Sequence, residues 1–136
     1  KRISDFDNVI LFNIGIAGGH PDKTEIGEVY LVNKVTNDET IDKYSLTIPA
    51  KNEFTTIALT TVAKGITGGH VGYEGLVDME AAIITATAIS SFNIDKISVI
   101  KVVSDHMDIA DWSSLDVYEI IESKLDSICA LMELYV

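Results

Sequence analysis

Cysteine is all but missing from this chain. Cys129 stands alone among 136 residues, which excludes an internal disulfide and suits a reducing cytoplasm. Arginine is as scarce: Arg2 is the single copy, and arginine is the side chain that clamps phosphate bidentately. Positive charge as a whole is outnumbered, with 10 Lys and Arg against 21 Asp and Glu and a formal net charge of −11. Such a surface repels polyanions, so neither nucleic acid nor an anionic membrane is an expected partner. No apolar run reaches the roughly 18 residues that span a bilayer, and no signal peptide is visible. No Met opens the chain, which starts Lys1-Arg2-Ile3-Ser4; the expectation is that something upstream has been removed. What is plentiful is apolar surface. Hydrophobic residues make up 47% and the mean hydropathy is +0.25, so the composition is that of a folded domain with a real core, expected as one unit over residues 1–136.

The stretch Leu76–Ser91, LVDMEAAIITATAISS, organises the rest. It opens apolar, meets Asp78 and Glu80, and continues as an Ala/Ile-rich helix. Asp78 has the side chain of an N-cap, and Glu80 then falls in the first turn, where the helix dipole favours a negative charge. No charge follows Glu80 in this stretch, so the helix is expected to be buried on nearly every side. Its alanines leave room for close approach of other backbones.

Around it the chain reads as strands separated by helices or long excursions. Val9–Ile14 is rich in β-formers, and Gly15-Ile16-Ala17-Gly18-Gly19-His20-Pro21 reads as its end. The glycines permit either a plain turn or close approach of a ligand to backbone N–H groups. Residues 27–36 alternate as a strand with Val29, Leu31 and Val35 on one face. Asn37–Asn52 is polar and reads as an excursion, Phe54–Val62 as a Thr-rich strand, and the glycine-rich Lys64–Gly75 as a mobile loop. Ile97–Val103 is a fourth strand, with Lys101 snorkelling or paired to a carboxylate. Ser113 and Asp116 suggest a capping box. Tyr118, Ile121, Leu125, Ile128, Met132 and Tyr135 then recur at helical spacing, an amphipathic helix laid over a sheet. The layering is α/β, in an order too irregular for a purely parallel sheet.

In α/β sheets ligands gather beyond the carboxyl ends of strands. The candidates are the Gly15–Gly19 segment, the Asp78–Glu80 helix start, and Ser104-Asp105 after the fourth strand. If these are neighbours, a glycine-lined floor meets two acids of different setting. Glu80 would be a solvated acceptor suited to a pair of hydroxyls, and Asp105, at a dry strand end, is placed to donate a proton. Each also has a plainer reading, Asp105 as a turn residue and Glu80 as a complement to the dipole. His20, His70 and His106 with Asp108 and Asp111 match no zinc or calcium spacing, so no metal is expected. Cys129 reads as a core thiol. The glycines lack the G-x-G-x-x-G spacing of a dinucleotide site.

Four segments taken together resemble the purine nucleoside phosphorylase and nucleosidase superfamily. Asn13-Ile14-Gly15-Ile16-Ala17-Gly18-Gly19 is similar to its N-x-G-x-A-G-G strand and loop, and Ile26-Gly27-Glu28-Val29 to the G-D/E-[VI] start of the next strand. Val77-Asp78-Met79-Glu80-Ala81-Ala82 is similar to V-x-M-E-A/G-A, and Lys101-Val102-Val103-Ser104-Asp105 to [KR]-x-[IV]-S-D. The nearest branches are the methylthioadenosine/S-adenosylhomocysteine nucleosidases and the futalosine hydrolases. The resemblance implies a three-layer αβα sandwich with a central mixed sheet, partial here because the family is longer at its N-terminus. It implies that Asp105 protonates purine N7 with Ser104 in support. Glu80, beside Asp78, binds the ribose hydroxyls, Met79 packs on the sugar, and the backbone of Ala17 and Gly18 lines base and ribose. It implies a nucleosidase, with a phosphorylase or an inactive nucleoside-binding module as alternatives. A small-molecule nucleoside and a homo-oligomer are the expected partners. No cofactor is expected, and inorganic phosphate would serve only as a phosphorylase's co-substrate. Thr60-Thr61-Val62-Ala63-Lys64 stands where the family carries an S-G-D-x-F loop, which leaves the base open.

Overall fold

A computed structural model describes residues 9–66, 72–109 and 112–135. The β-forming run near the start does not stop at the glycines: β1 spans Leu11–Gly19. The strand end expected at Gly15 falls at Gly19 instead, so the segment read either as a plain turn or as a close approach to a ligand is strand. The reason is tertiary, because β6 (Ile97–Asp105) runs parallel to β1 and pairs with it from Leu11 to Gly18. A continuous ladder of backbone hydrogen bonds outweighs the weak strand preference of glycine.

The other strands are β2 (Val29–Asn37), β3 (Lys43–Ser45), β4 (Thr55–Thr61) and β5 (Leu76–Asp78). They make a mixed sheet in the order β3-β2-β4-β5-β1-β6, and β2 also pairs with β6. That last pairing closes a ring of hydrogen-bonded neighbours through β2, β4, β5, β1 and β6. The excursion at Asn37–Asn52 thus contains a short strand, antiparallel to β2. A register shift between Val32 and Lys34 interrupts the alternation of β2. Val29 and Leu31 pack on one face of the sheet, while Val35 joins Tyr30 and Val32 on the other. The single face expected for Val29, Leu31 and Val35 is split because one extra residue in a bulge moves everything after it across the sheet.

Helices cover both faces. Helix α1 (Ala81–Ala88) packs Ala81, Ala82 and Ala88 against Tyr30, Leu59, Leu76, Val99 and Val103. Helices α2 (Val117–Glu122) and α3 (Leu125–Glu133) cover the opposite face, where Ile128 and Leu131 meet Leu31, Ile100 and Val102. The result is the αβα layering. Helix α1 is not buried on all sides, however: Ile83 is 58% exposed. Ala81, Ala82 and Ala88 take the sheet side, where small residues allow the helix to come close, and this turns Ile83 and Ile89 outward.

The expected single C-terminal helix is two helices. Ser123 donates its hydroxyl to the carbonyl of Ile120 at 2.7 Å, a local bond that competes with helix continuation. The break takes Tyr118 and Leu125 out of the apolar stripe and leaves both exposed. The cap lies later than the Ser113 box suggested. Asp116 is the N-cap, accepting the Glu119 N–H at 3.0 Å. Tyr135 packs against the sheet, edge-on to Phe12 at 5.4 Å between ring centres. Its hydroxyl lies 3.1 Å from Ser98 Oγ.

Strand β5 meets β1 only at Gly18 and Gly19. From Leu11 to Ala17, the edge of β1 away from β6 therefore carries no strand among the described residues. Leu11 through Ile16 are correspondingly only half-buried. Among the described residues no helix is long and apolar enough to cross a membrane.

Candidate active site

Parallel pairing of β1 with β6 brings the carboxyl ends of both strands together. Strand β5 arrives from the other direction. It is antiparallel to β1, with Val77 opposite Gly18, so the chain beyond Asp78 runs back along β1. Met79 and Glu80 consequently face Gly15–Ala17 rather than projecting from the same end. The space between is a cavity of about 310 Å³, lined by Gly15–Gly18, Val77–Glu80, Ser104, Asp105 and Met107, with Val62, Gly65, Ile66 and Val117 at its apolar side. This is at the small end of the roughly 300–1,000 Å³ typical of small-molecule sites. Among the described residues that line it, none is Lys, Arg or His.

Beneath its floor lies one buried cation. Lys101 is 0% exposed, and its Nζ sits 3.2 Å from Asp78 Oδ2 and 3.0 Å from Glu80 Oε1. The expected pairing with a carboxylate holds, with two acids instead of one and no snorkelling to solvent. Gly15 makes room for the ammonium group, because a Cβ there would stand 3.1 Å from Lys101 Nζ. The two acids differ in setting. The side chain of Asp78 is 1% exposed and that of Glu80 51%. Desolvation raises the Asp78 carboxyl above its usual range, opposed by the Lys101 charge and the Thr61 hydrogen bond.

Neither acid caps α1 in the manner the sequence suggested. Glu80 occupies the N-cap position, not the first turn, and its side chain bonds to no helix amide. Asp78 is the last residue of β5, yet its Oδ2 accepts the Ala81 N–H at 3.0 Å. Thr61, at the end of β4, completes the cap: its hydroxyl donates to Asp78 Oδ1 at 2.6 Å and accepts the Ala82 N–H at 2.9 Å.

Asp105 ends β6 and is 4% exposed. Its Oδ1 accepts the Met107 N–H at 2.7 Å, and Ser104 Oγ lies 2.7 Å from its Oδ2. Ser104 Oγ is also 3.4 Å from the carbonyl of Ala17, which ties the acid to β1. The turn that presents Asp105 passes through Met107 at φ 63°, a conformation uncommon for a residue with a side chain. Met107 is held there by burial against Val62 and Val77. Gly18 is the close neighbour, since a Cβ on it would stand 3.1 Å from Met107 Cγ and 3.2 Å from Asp105 Oδ1.

All seven residues singled out from sequence (Asp105, Glu80, Met79, Asp78, Ser104, Ala17 and Gly18) lie around this one cavity. Asp78 lines it mainly as a buried anchor. Thr61 and Val62 stand out in the sequence only for their place in the family's loop and Val77 only as part of a motif; the capping role of Thr61 and the apolar wall that Val62 and Val77 form with Ile66 and Met107 were not foreseen. Thr61 belonged to a strand that looked merely Thr-rich, and only the parallel pairing of β4 with β5, Thr61 opposite Asp78, reveals it. No cluster of metal-binding side chains occurs among the described residues. Asp22 donates its N–H to His20 Nδ1, and His106 Nε2 contacts the Thr24 carbonyl; His70 and Asp111 lie outside the described residues, as does the middle of the Lys64–Gly75 loop. Cys129 is exposed, not a core thiol, because α3 turns Ile128 and Leu131 inward instead.

No protein-family model matches the sequence, and no curated protein is detectably similar to it. Solved structures do match. An MTA/SAH nucleosidase superposes with a TM-score of 0.70 at 18% identity, over 93% of this chain and 62% of that one. The MTAN of Chlamydia trachomatis bound to MTA gives 0.63 at 21% identity, over 90% of this chain and 60% of that one. The 5′-methylthioadenosine nucleosidase of Arabidopsis thaliana in its apo form gives 0.61 at 18%, over 92% and 58%. The fold is that of the MTA/SAH nucleosidases. The chain spans about 60% of the length of these nucleosidases, and at this identity the likeness is one of fold. It agrees with the superfamily that the four sequence segments resemble. The mixed sheet and the helices on its two faces are thus a nucleosidase fold, and its β1–β5–β6 junction is where the candidate cavity lies.

Proposed function

We propose that this protein is a nucleosidase that hydrolyses the N-ribosidic bond of a purine-type nucleoside. The observation that carries the reading is the convergence of two unlike carboxyl groups on one apolar cavity. Asp105 is enclosed and hydrogen-bonded at the end of β6, and Glu80 is half-exposed over a buried ammonium group. Cleavage of an N-ribosidic bond puts positive charge on the ribose and negative charge on the departing base. An acid at base N7 and a carboxylate at the sugar both help most in that transition state.

In this reading Asp105 protonates N7, with Ser104 holding its second oxygen. Glu80 accepts hydrogen bonds from the 2′- and 3′-hydroxyls, Met79 lies against the sugar, and the backbone of Ala17 and Gly18 lines the ribose and base. The nucleosidase neighbours, one of them bound to MTA, support a small nucleoside ligand. The wall of Val62, Ile66 and Met107 offers apolar contact to a base or a 5′-substituent. The cavity's described lining has no cation to hold phosphate, which favours water over phosphate as the acceptor. A cytoplasmic homo-oligomer without cofactor completes the reading.

The test is base release from methylthioadenosine, adenosine, inosine and futalosine, each with and without inorganic phosphate. Release in phosphate-free buffer is expected. Asp105→Asn should lower it by about 10²–10⁴-fold while nucleoside binding persists. Turnover that requires phosphate would make the protein a phosphorylase. Binding without any base release would make it an inactive nucleoside-binding module.

A further inference from the structure

The N-terminus of α1 is capped in an unusual way, and the consequence falls on Glu80. The side chains that usually stand at the N-cap, Ser, Thr, Asp and Asn, turn back to accept from the second or third amide of the helix. Glu80 holds that position and makes no such bond. The amides are served from elsewhere: Ala81 N–H by Asp78 Oδ2 and Ala82 N–H by Thr61 Oγ. The Thr61 hydroxyl uses its one hydrogen on Asp78 Oδ1 at 2.6 Å, so donor and acceptor are both committed. Val62 N–H donates to the Asp78 carbonyl at 2.8 Å, which fixes the end of β4 against the end of β5. Thr61 is 3% exposed and does not line the cavity.

We infer that Thr61 is a positioning residue for Glu80. By taking over the cap of α1 with Asp78, it leaves the Glu80 carboxylate free to lie on Lys101 and face the cavity. With that hydroxyl gone, the Ala82 N–H loses its acceptor; Asp78 is held in place by the Ala81 N–H and by Lys101, so Glu80, at the N-cap and bonded to no helix amide, is the carboxylate free to turn to it. It would then leave both Lys101 and the ligand. A single hydroxyl outside the cavity thereby sets how well the site distinguishes a ribose from a sugar lacking the 2′-hydroxyl. The sugar specificity rests on the proposed ribose role of Glu80, whereas the capping exchange does not.

The test therefore has two arms. The first is the crystal structure of ligand-free Thr61→Val. Glu80 is expected to accept from Ala82 or Ile83 N–H and to have left Lys101; a Glu80 that stays on Lys101 overturns the inference whatever the protein's activity. The second compares ribonucleosides with their 2′-deoxy counterparts. Thr61→Val should lower kcat/KM for ribonucleosides by about 10- to 100-fold and affect the deoxy substrates much less, while Thr61→Ser restores both. In a Glu80→Gln background the same substitution should cost nothing further. Equal losses on the two sugars would show a merely structural role and overturn the inference. Should Thr61→Val not fold, Thr61→Cys, with its weak donor, carries both arms with the same expected directions. If the wild-type protein neither binds nor cleaves nucleosides, the functional reading fails and the first arm still decides the capping exchange.

Discussion

Lys101→Met tests the buried charge cluster most directly. The substitution keeps an unbranched side chain of similar reach but removes the ammonium group that Asp78 and Glu80 share. Glu80 is half in water and loses little, since exposed pairs contribute about 0–1 kcal/mol. Asp78 is enclosed and is left without its counter-charge. Breaking a buried pair from one side costs about 3–5 kcal/mol, but Asp78 has an escape, because it can take up a proton. Protonating a carboxyl with an ordinary value of 3.8 at pH 7 costs about 4.4 kcal/mol. That figure caps the loss at neutral pH, and the corresponding cap at pH 5 is about 1.6 kcal/mol. The sign follows from the direction of the shift. Desolvation already holds Asp78 above 3.8 in the folded protein, and losing Lys101 pushes it higher. The native variant then binds a proton that the unfolded chain does not, so its stability falls as pH rises from about 3.8 through the raised folded value. Urea unfolding of wild type and variant from pH 5 to pH 8 should show a deficit of about 2–4 kcal/mol at pH 7 that shrinks toward pH 5. Adding Asp78→Asn, which cannot titrate, should leave a deficit that no longer varies with pH. A deficit that is flat across this range in Lys101→Met, or one that still varies with pH once Asp78 is Asn, would refute the reasoning.

Two further substitutions probe the two ends of the cavity. Glu80→Gln should weaken turnover of ribonucleosides by about 10- to 100-fold and that of 2′-deoxyribonucleosides far less; equal losses in a kcat/KM comparison would remove Glu80 from the ribose. Gly18→Ala places a methyl group against Met107 and Asp105, and should cost about 1–3 kcal/mol from overpacking, read as a lower midpoint in thermal unfolding. It should also slow base release through displaced Asp105, and an unchanged rate in the Gly18→Ala variant would show that this junction is not the reactive one.

Much of the site was legible in the sequence because its parts sit where strands end. Asp105 closes an unbroken β-forming run, and Glu80 opens a helix whose alanines announce close packing. The two prove to lie on one cavity because β1 and β6 are parallel neighbours, a relation that local patterning does not carry. Three other features were misread, two for want of the tertiary pairing and one through a local side-chain bond. Gly15–Gly19 looked like the end of a strand, yet the β6 ladder holds it extended along the cavity. Val35 looked level with Leu31 by alternation, yet a bulge one residue long moved it to the other face. The C-terminal stripe looked continuous, yet Ser123 breaks the helix and turns Tyr118 and Leu125 outward.

Thr61 shows why the capping of α1 could not be read in the same way. A cap is normally sought within four residues of the helix it serves, and on that rule Asp78 and Glu80 appeared to suffice. In the folded protein one helix amide is served from 21 residues away, by a hydroxyl that β4 delivers because it runs parallel to β5. The physical logic is economical. A carboxylate bound to its own helix amides faces away from a ligand, and a carboxylate with no anchor samples many positions. Placing the cap on Thr61 and Asp78, and the anchor on a fully buried lysine, lets Glu80 be both fixed and available. The surrounding packing enforces this: Gly15 admits the ammonium group, and the alanines of α1 let the helix settle onto the sheet over it. Sequence patterns that looked independent, a glycine in a strand, a lysine in a dry run and an alanine-rich helix, are therefore parts of one device for presenting a single carboxylate.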